Sequence, residues 1–130
     1  METIIEIDHL HKSYGKVAAV QDLSFRVREG ELFAFLGVNG AGKSTTIHIL
    51  CGQLPKDSGR VFICGRNLET SLDEIKRSLG VVFQGSVLDK ELSVRDNLKS
   101  RAALYGISGR AFEARLDALA QLLEFGELLK

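Results

Sequence analysis

The sequence predicts an α/β fold, and three observations carry that expectation. Two segments alternate apolar with polar residues, a short unbroken apolar run ends at a glycine-rich loop, and the last third shows helical spacing. In residues 3–8, Ile5 and Ile7 oppose Glu6 and Asp8; in residues 23–28, Leu23, Phe25 and Val27 oppose Ser24, Arg26 and Arg28. Period-two alternation marks a half-buried strand. Glu29 and Gly30 turn the chain into Leu32, Phe33, Ala34, Phe35 and Leu36, a run expected of a strand covered on both faces. Residues 43–51 follow the glycine-rich stretch as a predicted helix, with Gly52 placed to end it. A turn over residues 54–59 then leads to a strand over residues 60–64. Ser71 with Glu74, and Ser93 with Asp96, have capping-box spacing and predict helices near residues 71–78 and 93–104. Between them, residues 80–83 read as a short buried strand that delivers Gln84 to its end. Phe112, Leu116, Leu119 and Leu123 fall on one stripe of a final amphipathic helix.

Composition narrows the function classes. The 130 residues are 45% hydrophobic and 26% charged, with 17 basic groups balancing 17 acidic ones. That apolar fraction excludes intrinsic disorder, and a chain of this length can bury a core without disulfides or metals. A net charge of zero argues against a protein that blankets nucleic acid or anionic lipid, a mode that needs a basic surplus. No stretch approaches the roughly 18 consecutive apolar residues of a membrane span. The N-terminus has neither the basic start nor the apolar run of a secretory signal, so the cytoplasm is the expected compartment. Cys51 and Cys64 lack a CxxC spacing and read as reduced, buried thiols. His9 and His11 share a face of an extended segment but are not read as a zinc site.

The loop itself is the informative stretch. Gly37, Val38, Asn39, Gly40, Ala41, Gly42, Lys43, Ser44 and Thr45 fit the phosphate-binding pattern G-x-x-x-x-G-K-[ST], placed between a predicted strand and a predicted helix. Glycines let the backbone curl so that successive N–H groups point at phosphate oxygens, at distances a side chain would block. The helix start adds unpaired amides and its positive dipole end. Lys43 can reach the β and γ phosphates, and the Ser44 hydroxyl can ligate Mg²⁺.

With Tyr14 and Gly15 upstream, Leu54 and Pro55 followed by Asp57, Ser58 and Gly59, and the stretch 80–84 ending in Gln84, the loop completes an ordered set. Over residues 3–130 the chain resembles the N-terminal part of the ATP-binding subunit of an ABC transporter. The resemblance implies a P-loop NTPase core (RecA-like) with an antiparallel β subdomain and the start of a helical subdomain, truncated. Residues 1–92 would form the ATP-binding β subdomain and P-loop core, and residues 93–130 the start of the helical subdomain. It implies that Tyr14 stacks on adenine, that loop 37–45 holds the ATP phosphates, and that Ser44 and Gln84 ligate Mg²⁺. Lys43 and Gln84 are the implied catalytic residues. Val38 stands where the family usually has proline, a change that leaves phosphate cradling intact.

Further implications concern partners. The family's ATP-binding subunits pair head to tail and dock on a transmembrane subunit, so the resemblance implies a peripheral position on the inner face of the membrane and no nucleic-acid partner. The segment from Ser86 to Leu98 is similar to exporters of drug, lipid or polysaccharide type. No hydrophobic run ending in Asp-Glu and no LSGGQ-like segment occurs in these 130 residues. The expectation is therefore ATP binding with negligible turnover by this stretch alone, in a chain cut within the helical region, with apolar strand faces exposed or covered by a partner. Two alternatives stay open: a soluble non-transport ABC ATPase, and a nucleotide-binding interaction module without catalysis.

Overall fold

The structure is a computed structural model that describes residues 1–38, 40 and 42–130. Strands β1 (Thr3–Tyr14) and β2 (Val17–Arg28) form a long hairpin turning at Gly15 and Lys16. β1 pairs on its other edge with β3 (Ser58–Ile63), which turns through Cys64 and Gly65 into the two-residue β4 (Arg66–Asn67). The sheet order is β2-β1-β3-β4, antiparallel throughout. Alternation in the sequence sets the register, because Ile5 lies opposite Val27 and Ile63, and Ile7 opposite Phe25 and Val61.

Both hairpin strands run further than their alternation, and a bulge explains the difference. His9 and Asp22 take left-handed φ values of 50° and 48°, and the register shifts between Ile7 and Leu10. Each extra residue reverses the parity of its strand. Leu10 and Val20 thereby return to the buried face, three residues from Ile7 and Leu23, and Leu10 is 0% exposed. β3 passes close to the bulge, since a Cβ on Gly59 would lie 2.3 Å from the His9 carbonyl oxygen.

Helices α1 (Lys43–Leu50) and α2 (Leu72–Arg77) bring Ile49, Leu50 and Ile75 onto this sheet, in one core with Ile7, Leu10, Val61 and Ile63. Full burial of each such side chain contributes about 1.5–3 kcal/mol. Gly52 follows the end of α1 as the sequence indicates, at φ 70°, its N–H donating to the Ile49 carbonyl at 3.0 Å. At the start of α2 the capping box is absent: Ser71 makes no side-chain cap, and Glu74 pairs with Arg66 at 2.7 Å. An ion pair with a neighbouring strand has taken the carboxylate that a box would use. Cys51 and Cys64 are separate, half-buried thiols, and burial pushes the Cys51 thiol up.

Two expected strands do not form. In residues 32–36, Phe33 and Phe35 turn toward Phe25 of β2, with ring centroids 4.9 and 5.5 Å away, while Leu32 is 100% exposed. Residues 80–83 are also irregular, with Val82 99% exposed. A strand is held by a ladder on a neighbour, and neither run is laddered to a strand among the described residues.

The chain divides into two compact units, Met1–Val81 and Val82–Lys130. The second holds α3 (Val94–Ala103), α4 (Gly109–Leu122) and a 3₁₀ turn at Gly126–Leu129. Here the cap does form: Ser93 Oγ accepts the Asp96 N–H at 3.1 Å and donates to Asp96 Oδ2 at 2.8 Å. Buried Asn97 accepts from the Asp89 N–H at 2.8 Å and donates to the carbonyls of Asp89 and Ser93 at 2.9 and 3.0 Å. Arg95 bonds both Glu113 oxygens at 2.5 Å and ties α3 to α4. Phe112 and Leu116 of the expected stripe are buried, whereas Leu119 and Leu123 remain exposed. No described helix is long and apolar enough to cross a membrane.

Candidate functional site

Loop 37–45 leads from the 32–36 run into α1. Gly40 and Gly42 adopt φ values of 86° and 84°, in the left-handed region where side chains are strained. At Gly42 space is lacking as well: a Cβ would sit 2.2 Å from the Ala19 carbonyl oxygen of β2. The loop therefore lies hard against the sheet at its last glycine. Asn39 and Ala41, both assigned to the loop by the sequence, lie outside the described residues. Gly37 and Val38 are exposed.

The Lys43 ammonium donates to the Gly37 carbonyl and so closes the loop from within. An ammonium has three donors, which leaves two for another oxygen. Thr46, fully buried, fixes the loop's far end: its Oγ1 and its N–H both donate to the Gly42 carbonyl, at 2.8 and 2.9 Å. Sequence reasoning passed over Thr46, because a third hydroxyl residue after Ser44 and Thr45 has no motif position of its own. The first turn of α1 has neither a side-chain cap nor an acidic residue. Its free N–H groups and positive dipole end are open to an anion. Ser44 is exposed in that turn and Thr45 half-buried. The Ser44 hydroxyl is a hard oxygen suited to Mg²⁺, an ion usually held by one or two protein oxygens together with substrate phosphates. A loop with left-handed glycines at 40 and 42, an uncapped helix start, a lysine and a hydroxyl together fit a metal-bound polyphosphate.

Tyr14 ends β1, paired with Val17, and is 49% exposed. Two residues past Val17 is Ala19, whose carbonyl abuts Gly42, so the hairpin tip and the loop share one end of β2. The Lys12 ammonium lies over the Tyr14 ring, 5.7 Å from its centroid. That ammonium donates to Asp57 Oδ1 at 3.1 Å, and the Ser13 N–H donates to Asp57 Oδ2 at 2.6 Å. The Ser13 hydrogen bond, followed by the Lys12 one, holds the Asp57 carboxyl below the usual carboxylate range. Neither Lys12 nor Asp57 was legible as a site neighbour, since 44 residues separate Ser13 from Asp57 and only the β1–β3 register unites them. Gln84 belongs to the second unit, where it is exposed in a bend rather than at a strand end.

A glycine loop that runs into an uncapped helix start is the phosphate-cradling element of P-loop nucleotide-binding folds. The chain belongs to the ABC transporter family, whose profile matches residues 20–130. It is similar to the probable multidrug ABC transporter ATP-binding protein YbhF of Escherichia coli (strain K12), 38% identical over 120 residues, which are 92% of this chain and 21% of that protein. It is also similar to the Nod factor export ATP-binding protein I of Paraburkholderia xenovorans (strain LB400), 39% identical over 98% of this chain and 41% of that protein. The chain thus spans well under half the length of these curated relatives. A solved ATP-binding subunit of an ABC transporter superposes with a TM-score of 0.82 at 33% identity, covering 92% of this chain and 50% of that one. cbiO1 from Clostridium perfringens shares the fold, with a TM-score of 0.78 at 24% identity over 93% of this chain and 50% of that one.

Proposed function

We propose that residues 1–130 bind MgATP. Tyr14 stacks on adenine, loop 37–45 receives the phosphates on backbone N–H groups, and Lys43 neutralises their charge. Ser44 and Gln84 ligate Mg²⁺, which supplies charge neutralisation across the β and γ phosphates. Lys43 and Gln84 act in turnover in the whole protein. The observation that carries this reading is Gly42, left-handed at φ 84° and packed too closely on Ala19 for any side chain, at the uncapped start of α1.

In the whole protein, ATP hydrolysis is coupled to transport through a membrane subunit, by a head-to-tail pair of nucleotide-binding domains at the inner membrane face. The names of the relatives, ATP-binding proteins of multidrug and Nod factor export systems, support export as the direction. Residues 93–130 begin the helical subdomain that faces the membrane partner.

MgATP is expected to raise the melting temperature in a concentration-dependent way, stabilising by about 2.7 kcal/mol at one hundred times Kd. Lys43→Ala should remove that shift. A wild-type protein that melts identically with and without saturating MgATP would overturn the reading. Phosphate release by residues 1–130 alone should not exceed the Lys43→Ala level, because these residues hold no hydrophobic run ending in Asp-Glu to polarise water. A rate clearly above that level would contradict this part.

A further inference from the structure

Tyr14 stands at the tip of a hairpin, where a terminal side chain is ordinarily free to turn. Its surroundings are nevertheless set by a residue far away in the chain. Asp57 lies in the turn between α1 and β3, and its own N–H donates to the His11 carbonyl at 3.0 Å, which fastens that turn to β1. One carboxylate oxygen takes the Ser13 N–H at 2.6 Å, the residue directly before Tyr14. The other takes the Lys12 ammonium at 3.1 Å, and that same ammonium sits over the Tyr14 ring. The Lys12 side chain is only 11% exposed, and the Asp57 carboxylate 3.1 Å away is its ion-pair partner. A single side chain therefore grips both the backbone leading into Tyr14 and the cation against its ring.

We propose that Asp57 is a positioning residue for adenine: by holding Lys12 and Ser13, it presents the Tyr14 ring in one orientation before nucleotide arrives. The proposal rests on the reading of Tyr14 as the adenine platform. Asp57 touches no ligand in this scheme. It lowers the ordering cost of the platform, and preorganisation of that kind appears as affinity. The Lys12 ammonium fixes the ring by a cation–π contact and leaves the solvent-facing side of the residue for a flat base.

The discriminating experiment compares MgATP with magnesium tripolyphosphate, which occupies the glycine loop but carries no base. Kd for both is measured calorimetrically on the full chain as wild type, Asp57→Asn, Lys12→Met and Tyr14→Ala. Asp57→Asn and Lys12→Met are each expected to weaken MgATP by about two- to fivefold, the scale of one cation–π contact, and to leave tripolyphosphate unchanged. Tyr14→Ala should weaken MgATP by about tenfold with the same selectivity. Equal losses on both ligands, or no loss, in the Asp57 and Lys12 variants beside a selective Tyr14→Ala would overturn the role of Asp57. A Tyr14→Ala protein with no selective loss would instead overturn the adenine reading on which the proposal stands. Lys12→Met keeps the test open if Asp57→Asn does not fold.

Discussion

The β1–β3 ladder and the 32–36 run are both rich in large apolar residues, yet they end in opposite environments. Ile7, Leu10, Val61 and Ile63 are sealed in the core, while Leu32 and Leu36 face solvent and only Phe33 and Phe35 find a partner in Phe25. The ladder strands alternate, need cover on one face, and obtain it from α1 and α2 within the same unit. A continuous run needs cover on both faces and a hydrogen-bonded neighbour on its edges. Apolar content alone thus does not make a strand. The glycine loop joins these environments, because Gly37 follows directly on the open run and Gly42 packs against Ala19 of β2.

The widest separation between the two regions should appear in stability. Leu10→Ala, at a fully buried position, is expected to cost about 2–5 kcal/mol in urea denaturation. Leu32→Ala should change stability by no more than about 0.5 kcal/mol. Equal costs would show the 32–36 run to be packed in solution and would break the comparison. Next in size is Gly59→Ala, where a Cβ would collide with the His9 carbonyl oxygen at 2.3 Å. It should exceed Gly65→Ala, which has open space at φ 72° and carries only the left-handed penalty of about 1–2 kcal/mol. Smaller again, Ser93→Ala should cost about 1 kcal/mol by removing a formed cap, and Ser71→Ala next to nothing, because that cap is absent.

The smallest effect is a titration at the bulge. His9 Nδ1 lies 2.5 Å from Asp22 Oδ1, and this hydrogen bond, with the charges of Asp22 and Asp8, raises the His9 pKa above its ordinary 6.5. A raised folded-state pKa means that the pair's contribution is complete below about pH 6.5 and fades as pH rises through the folded value. Asp22→Asn should move the His9 imidazole midpoint, followed by proton NMR, back toward 6.5. An unchanged midpoint would show that Asp22 does not hold the ring.

Local pattern made much of this legible. Alternation at Ile5, Ile7, Leu23, Phe25 and Val27 foretold both hairpin strands, and Ser93 foretold the start of α3. The glycine loop was legible because its chemistry demands particular residues at fixed spacing. What escaped depends on distant pairing. The bulge at His9 and Asp22 hid the outer halves of β1 and β2, because it reverses the period on which the reading relies. Lys12 and Asp57 meet through the β1–β3 pairing, for which no local signal exists. At Ser71 the carboxylate half of the box is lost, because Arg66, across a turn, takes Glu74 while the Ser71 N–H donates to the Asn67 carbonyl.

The central claim, that backbone geometry at the glycine loop binds nucleotide, is tested most directly by titrating MgATP into the wild type and Gly42→Ala while far-UV circular dichroism monitors the sheet. Wild-type binding with at least about a tenfold loss in Gly42→Ala and an unchanged spectrum is the expected result, since one methyl group would displace the loop from Ala19. Equal affinity for MgATP in the two proteins would contradict the account.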